Sequence, residues 1–255
     1  MANMNGQITK GNKIEVLDKG YVRLEAITGK DLSTVNSAKV SYDKRSFEFT
    51  DKEKRLIRFL AKHGHTSPFR HAFVTFECYA PLMIARQWWK YVIGSGHEEI
   101  EKGMQDPFTA WNESSRRYIT EEPEFYLPAP DQWRSAPENS KQGSGEPIPL
   151  ERGKVWSEVL LEVQNEGINL YERAMEEGIC AEQARLFLPA YGLMVRWYWS
   201  ASVQGVAHLL NQRLAHDSQK EFQMYARAVY DIMMEHFPVS IDELVKMAEE
   251  VENNG

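Results

Sequence analysis

The sequence predicts a single α+β domain, a central and mostly antiparallel sheet flanked by helices, and three observations carry that reading. In residues 71–80, HAFVTFECYA, Ala72, Val74, Phe76 and Cys78 alternate with His71, Thr75 and Glu77, and Phe73 and Tyr79 make the second face bulky too. That is the pattern of a central strand. In VRWYWSAS, Val195, Trp197, Trp199 and Ala201 alternate with Arg196, Tyr198, Ser200 and Ser202, a second strand of the same kind. The apolar spacing elsewhere is mostly helical, with no internal repeat and no firm domain boundary, so residues 1–255 read as one unit.

Taken in order, KIEVLDKGYVRLEAIT has two apolar-alternating runs around the turn signal Asp18-Lys19-Gly20 and predicts a hairpin or two successive strands. DLSTVNSAKVSY spaces Leu32 and Val35 helically, with Ala38 as an optional third. Thr50 and Glu53 form a capping box that opens a helix whose apolar face is Leu56, Ile57, Phe59 and Leu60 and whose end is near Gly64. Pro81 suits the first turn of a helix through LMIARQWWKYVIG, ended by Gly94 and Gly96. Residues 96–111 read as loop, and the Pro-, Gly-, Ser- and Glu-rich stretch 121–150 as a long surface excursion. From Gly153 to about Ile179, Val155, Val159, Val163, Leu170 and Tyr171 follow one helical stripe. AEQARLFL is a short helix stopped by Pro189, VQGVAHLLNQRL and QKEFQMYARAVYDIMMEHF are two more, and the acidic tail 248–255 is expected to fray.

The 30 basic and 37 acidic side chains leave a net charge of -7, which argues against broad attraction to nucleic acid or anionic membrane. The N-terminus MANMNGQITKGNK lacks an apolar core like that of a signal peptide, and no apolar run reaches membrane-spanning length, so the expectation is a cytoplasmic protein. Cys78 and Cys180 are the only cysteines and read as buried thiols without a catalytic role. His63, His65 and His71 lack the helical spacing of zinc hydrolases, and no glycine-rich phosphate loop occurs, so neither a metal nor a Rossmann-type dinucleotide site is expected. Trp88, Trp89, Trp197 and Trp199 read most simply as core aromatics.

Chemistry concentrates in HGHTSPFRH (63–71), RQWWKYVIGS (86–95), NESSRRY (112–118) and HLLNQRLAHD (208–217), with Arg185 inside the apolar ARLFLP. Gln204, His208 and Gln212 recur every fourth residue on one helix face, and Arg213 and Asp217 lie on the next. Arg117, Arg185 and Arg213 suit an anionic ligand, since a guanidinium offers a bidentate fork that stays charged. Arg185 is the strongest of these, because a charge among apolar neighbours needs a partner if it is buried.

Together these stretches resemble the flavin-dependent thymidylate synthases, in order along most of the chain: VLDKGYVRL, AKVSYD, HGHTSPFRH, PLMIARQWW, NESSRRY, EFYLP, ARLFLP, RWYW and NQRLAHDSQKE. Asn112-Glu113-Ser114-Ser115-Arg116-Arg117-Tyr118 fits the family's Asn-Glu-x-Ser-x-Arg-Tyr. The family's Arg-His-Arg is replaced by Lys90-Tyr91-Val92, and residues 96–111 are an insertion. Lys90 keeps a charge there, whereas Tyr91 and Val92 are expected not to replace the original donors.

The resemblance implies a homotetramer with sites built between subunits and reductive methylation of dUMP to dTMP. FAD would be the hydride carrier, NADPH the reductant and methylenetetrahydrofolate the carbon donor. Gln87, Glu113, Ser115, Arg117, Arg185 and Arg213 match positions around dUMP, Arg117 and Arg185 near the phosphate and Arg213 near the pyrimidine. Ser41, Ser67, Lys90, Ile93, Ser202, Gln204 and His208 match flavin-contacting positions, and His65 one near flavin and folate. The catalytic candidates are Arg213, Ser115 and His65, with Ser115 orienting substrate, because no base is spaced to activate it. Two other readings fit the same residues: a related flavin enzyme on another pyrimidine or one-carbon group, and a non-catalytic nucleotide- or flavin-binding protein.

Overall fold

The computed structural model describes residues 13–91, 111–113, 122–138 and 143–245. Ile93, Ser115, Arg117, most of the 96–111 insertion and the 248–255 tail lie outside the described residues.

Strands β1 (Lys13–Val16) and β2 (Gly20–Thr28) form the expected hairpin, with Val16 opposite Gly20. The turn's left-handed residue is Leu17 (φ 59°), not the glycine. Gly20 answers to packing instead: a Cβ there would stand 1.8 Å from the Tyr225 hydroxyl and 2.7 Å from the Tyr79 carbonyl.

Strands β3 (Phe73–Pro81), β4 (Trp111–Glu113) and β5 (Met194–Ser202) complete an antiparallel sheet in the order β1-β2-β3-β5-β4. β3 is central, as its two bulky faces require. β4 corrects the expectation of loop up to residue 111; three residues are too short to show a period of two.

Helices α1 (Asp31–Lys39) and α2 (Asp51–Lys62) follow the hairpin. The Thr50–Glu53 capping box forms. Ile57 and Leu60 are buried as expected, but Phe59 is half exposed and packs on His63, ring centroids 4.4 Å apart. Helix α3 (Leu82–Trp88) ends well before Gly94. The Tyr91 N–H turns back to the Trp88 carbonyl (2.9 Å), and the buried Trp199 indole donates to the Tyr91 carbonyl (2.9 Å), so the chain leaves the helix there.

Helix α4 (Leu150–Glu176) forms close to the expected span, and of its stripe Val155, Val159 and Val163 face outward while Tyr171 packs on the small core of Phe125, Leu188 and Leu193. Its inward face is Gly153, Ser157, Gln164, Gly167 and Ala174. These residues hold the irregular backbone of 122–138: Ser157 Oγ donates to the Pro128 carbonyl and Gln164 Nε2 to the Tyr126 carbonyl, both at 2.9 Å. A Cβ on Gly153 would stand 1.8 Å from the Pro130 carbonyl. Within the stretch 121–150, residues 122–138 are therefore not a free excursion; Phe125 and Tyr126 are buried, and Phe125 bridges to Leu193.

Helix α5 (Ala181–Ala184) and a 3-10 turn, Arg185–Phe187, lead to β5. Helices α6 (Val203–Arg213), α7 (Lys220–His236) and α8 (Pro238–Leu244) close the chain. They and α3 cover one sheet face, with Trp88 centred on Trp197, Trp199 and Phe222 at 5.5, 5.4 and 5.3 Å. α8, not expected from the sequence, starts on Pro238, and the buried Asp31 carboxylate caps it from α1, accepting from the N–H groups of Val239 (2.9 Å) and Ser240 (3.0 Å).

Candidate functional site

Arg213 occupies the last turn of α6, where a cation complements the helix dipole. Its Nε donates to the Tyr91 hydroxyl (2.8 Å) and its Nη1 to Gln87 Oε1 (3.2 Å). The guanidinium carbon lies 5.0 Å from the Phe222 ring centroid and 5.6 Å from that of Tyr91, within cation–π range of both. Gln87, on α3, passes its Nε2 hydrogens to Gln219 Oε1 (2.6 Å) and the Met83 carbonyl (3.2 Å). Gln219 belongs to the turn between α6 and α7, which Gln223 fastens by donating to the carbonyls of Ala215 (2.9 Å) and Ser218 (2.8 Å). Gln87, Gln212, Arg213, Asp217, Ser218, Gln219 and Gly143 enclose a cavity of about 420 Å³. A larger one of about 570 Å³ shares Gly143 and Gln219 with it and continues along Trp133, Arg134 and Tyr191.

Tyr91 is the residue that sequence reasoning discounted and the fold makes central. Only 6 % exposed, it donates its hydroxyl to Gln212 Oε1 (2.7 Å) while accepting from Arg213. Burial raises its pKa above the ordinary tyrosine value, and the Arg213 charge opposes that rise. Its ring centroid is 5.6 Å from that of His208. The signal that would have found it is position, since it stands directly after the helix that carries Gln87.

The other predicted residues divide into groups. Gln204 and His208 lie on α6, two turns and one turn before Gln212, and Gln204 Oε1 is buried with no hydrogen-bond partner among the described residues. Ser202 is fully buried and caps α6, its Oγ accepting from the Gly205 N–H at 3.1 Å. Ser41, Ser67, His65 and Lys90 are exposed. His65 stacks on Phe59, centroids 6.0 Å apart, and Ser67 opens the 3-10 turn Ser67–Arg70 beside α1 and α6. Glu113 ends β4 opposite Trp197, so its side chain leaves the sheet on the face that carries Trp88.

Arg185 corrects the expectation of a buried charge. It is exposed, donates from Nε to the Glu182 carbonyl at 3.3 Å, and lines neither cavity. Its apolar neighbours Leu186 (80 %) and Tyr191 (68 %) are themselves exposed on this chain, so burial never arises. Cys180 is likewise exposed, not buried. Cys78 is buried in β3, and that burial, followed by the Glu77 charge, pushes its thiol well above the ordinary range. Among the described residues no three His, Cys, Asp or Glu side chains gather as a metal site, and no helix is long and apolar enough to cross a membrane.

The family model described as "Thymidylate synthase complementing protein" matches residues 23–239. The flavin-dependent thymidylate synthase of Thermotoga neapolitana is 35% identical over 239 residues, covering 92% of this chain and 95% of that one. That of Thermus thermophilus is 33% identical over 237 residues, covering 93% and 78%. Among solved structures, the UMP/dUMP methylase PolB of Streptomyces cacaoi, bound with 5-Br dUMP, superposes with a TM-score of 0.73 at 23% identity. The match covers 90% of this chain and 96% of that one, and so the two share the fold.

Proposed function

The chain belongs to the flavin-dependent thymidylate synthase family, and from that premise we propose that it converts dUMP to dTMP reductively. In this reading FAD is the bound cofactor, methylenetetrahydrofolate the carbon donor and NADPH the reductant. The observation that carries it is Arg213, held by Tyr91 and Gln87 at the wall of a cavity of about 420 Å³.

Uracil C5 becomes nucleophilic only as negative charge develops on the pyrimidine carbonyls, and a fixed cation beside them stabilises that charge where it appears. Arg213 is that cation. Gln87, its amide held by Arg213, Gln219 and the Met83 carbonyl, has one lone pair of Oε1 left for a donor on the base edge. Ser115 and Glu113 bind and orient the nucleotide, and Arg117 and Arg185 take its phosphate. The high thiol of Cys78 makes a cysteine nucleophile a poor alternative.

The chain's residues fit a flavin. The orphaned Gln204 Oε1 wants a donor of the kind an isoalloxazine N3–H offers, and His208 lies one turn further on the same helix face. Gln204, His208, Ser41, Ser67, Lys90 and Ile93 would hold it, with His65 toward the folate, whereas the fully buried Ser202 would act only by capping the helix that carries Gln204 and His208. When bound, the flavin supplies the hydride; the protein supplies position and charge.

Arg185 lines neither cavity and sits in the chain beside the exposed Leu186 and Phe187, which supports a site shared between copies in a homotetramer, Arg185 of one chain serving the nucleotide of another. The test is to purify the protein, look for a yellow flavin, and follow NADPH oxidation and dTMP formation with dUMP and methylenetetrahydrofolate. Flavin-dependent dTMP formation is the expected outcome. Flavin without dTMP points to another pyrimidine, and neither flavin nor dTMP after FAD is added overturns the reading.

A further inference from the structure

Tyr91 stands where the family motif has histidine, and its hydroxyl is the hinge of a hydrogen-bond chain from Gln212 through Tyr91 and Arg213 to Gln87 and Gln219. Both ends of Tyr91 are fixed: its carbonyl by Trp199 and its hydroxyl by Gln212. Of the five N–H donors a guanidinium carries, Tyr91 and Gln87 occupy two, and the rest have no acceptor among the described residues. Two contacts at different edges of a planar group fix its rotation as well as its position, whereas one leaves it free to swing.

We propose that Tyr91 is a positioning residue that aims the free edge of Arg213 at the nucleotide base. The inference rests on the proposed role of Arg213 and adds what holds that role in place. The hydroxyl must both donate and accept here, so Phe, with the same ring and burial, removes the aim while keeping the packing.

The test compares Tyr91→Phe, Arg213→Lys and the double variant in the flavin-loaded enzyme. Tyr91→Phe is expected to keep its thermal midpoint, flavin content and dUMP affinity close to those of the parent, while kcat falls ~10- to 100-fold, the loss of one charge-assisted hydrogen bond felt in the transition state. In the Arg213→Lys background, where the fork is already gone, Tyr91→Phe is expected to add little. Gln212→Ala removes Tyr91's acceptor and should lower kcat in the same direction, read at saturating dUMP because Gln212 also lines the cavity.

An unchanged kcat in Tyr91→Phe, or an equal fold-loss with and without Arg213, overturns the proposal. If Tyr91→Phe does not fold, an unchanged kcat in Gln212→Ala does so. Normal kcat and dUMP affinity in Arg213→Lys would instead remove the role of Arg213 itself, and the proposal with it.

Discussion

Arg213 is tied to the fold by two hydrogen bonds and two ring faces; the rings of Tyr91 and Phe222 belong to the main core, whereas Arg213 itself lines the cavity. Arg213→Ala is therefore expected to fold normally by circular dichroism but to lose at least ~100-fold of dUMP-dependent turnover, as removal of one oxyanion-stabilising donor does elsewhere. Glu53 is the opposite case, a buried carboxylate whose work is structural. The Lys39 ammonium, then the hydroxyls of Thr50 and Ser46, hold it well below its ordinary value of 4.5. Because the folded value is depressed, its stabilisation is complete above the unfolded value and is lost as pH falls toward the folded one. Glu53→Gln should be less stable than the parent at neutral pH and should show a flatter decline below about pH 5 in denaturant titrations.

At the scale of elements, the β1–β2 hairpin meets α7 through Gly20, and the Tyr225 hydroxyl donates to the Tyr79 carbonyl (2.9 Å) in the space a Cβ would fill. Gly20→Ala is expected to cost about 1–3 kcal/mol, as overpacking of a tight interior does. Adding Tyr225→Phe, which removes the clashing oxygen, should recover part of that loss in thermal melts, a coupling that independent sites would not show. α4 shows why a helix stripe and a buried face need not coincide. Its inward side is built to approach backbone closely and to satisfy carbonyls, for which glycine, serine and glutamine serve better than valine.

For the whole molecule, Val155, Trp156, Val159, Leu161 and Val163 of α4 and Leu186, Phe187 and Tyr191 beyond it are all at least 40 % exposed. Apolar surface on that scale marks an interaction site. Together with the exposed Arg185, next to Leu186 in the chain, it fits a face that a second copy covers. If the proposed homotetramer forms through this face, Val159→Glu is expected to give smaller species than the parent by light scattering and to lower dTMP formation in parallel. A variant of unchanged mass would assign the face to something else.

The sequence by itself determined the two long strands, the Thr50–Glu53 cap and most helices, because each is written in local spacing within one segment. The family motifs likewise pointed to Arg213 and Gln87, residues now joined by a hydrogen bond. Tertiary structure alone decided what depends on contacts between distant segments. Tyr91 and Gln212 are 121 residues apart, and no local pattern foretells that one hydroxyl will serve both Gln212 and Arg213. The direction of the α4 stripe and the exposure of Arg185 belong to the same class. Periodicity reports that a face is apolar; whether the chain's own core or another surface covers it depends on the packing of the assembled molecule.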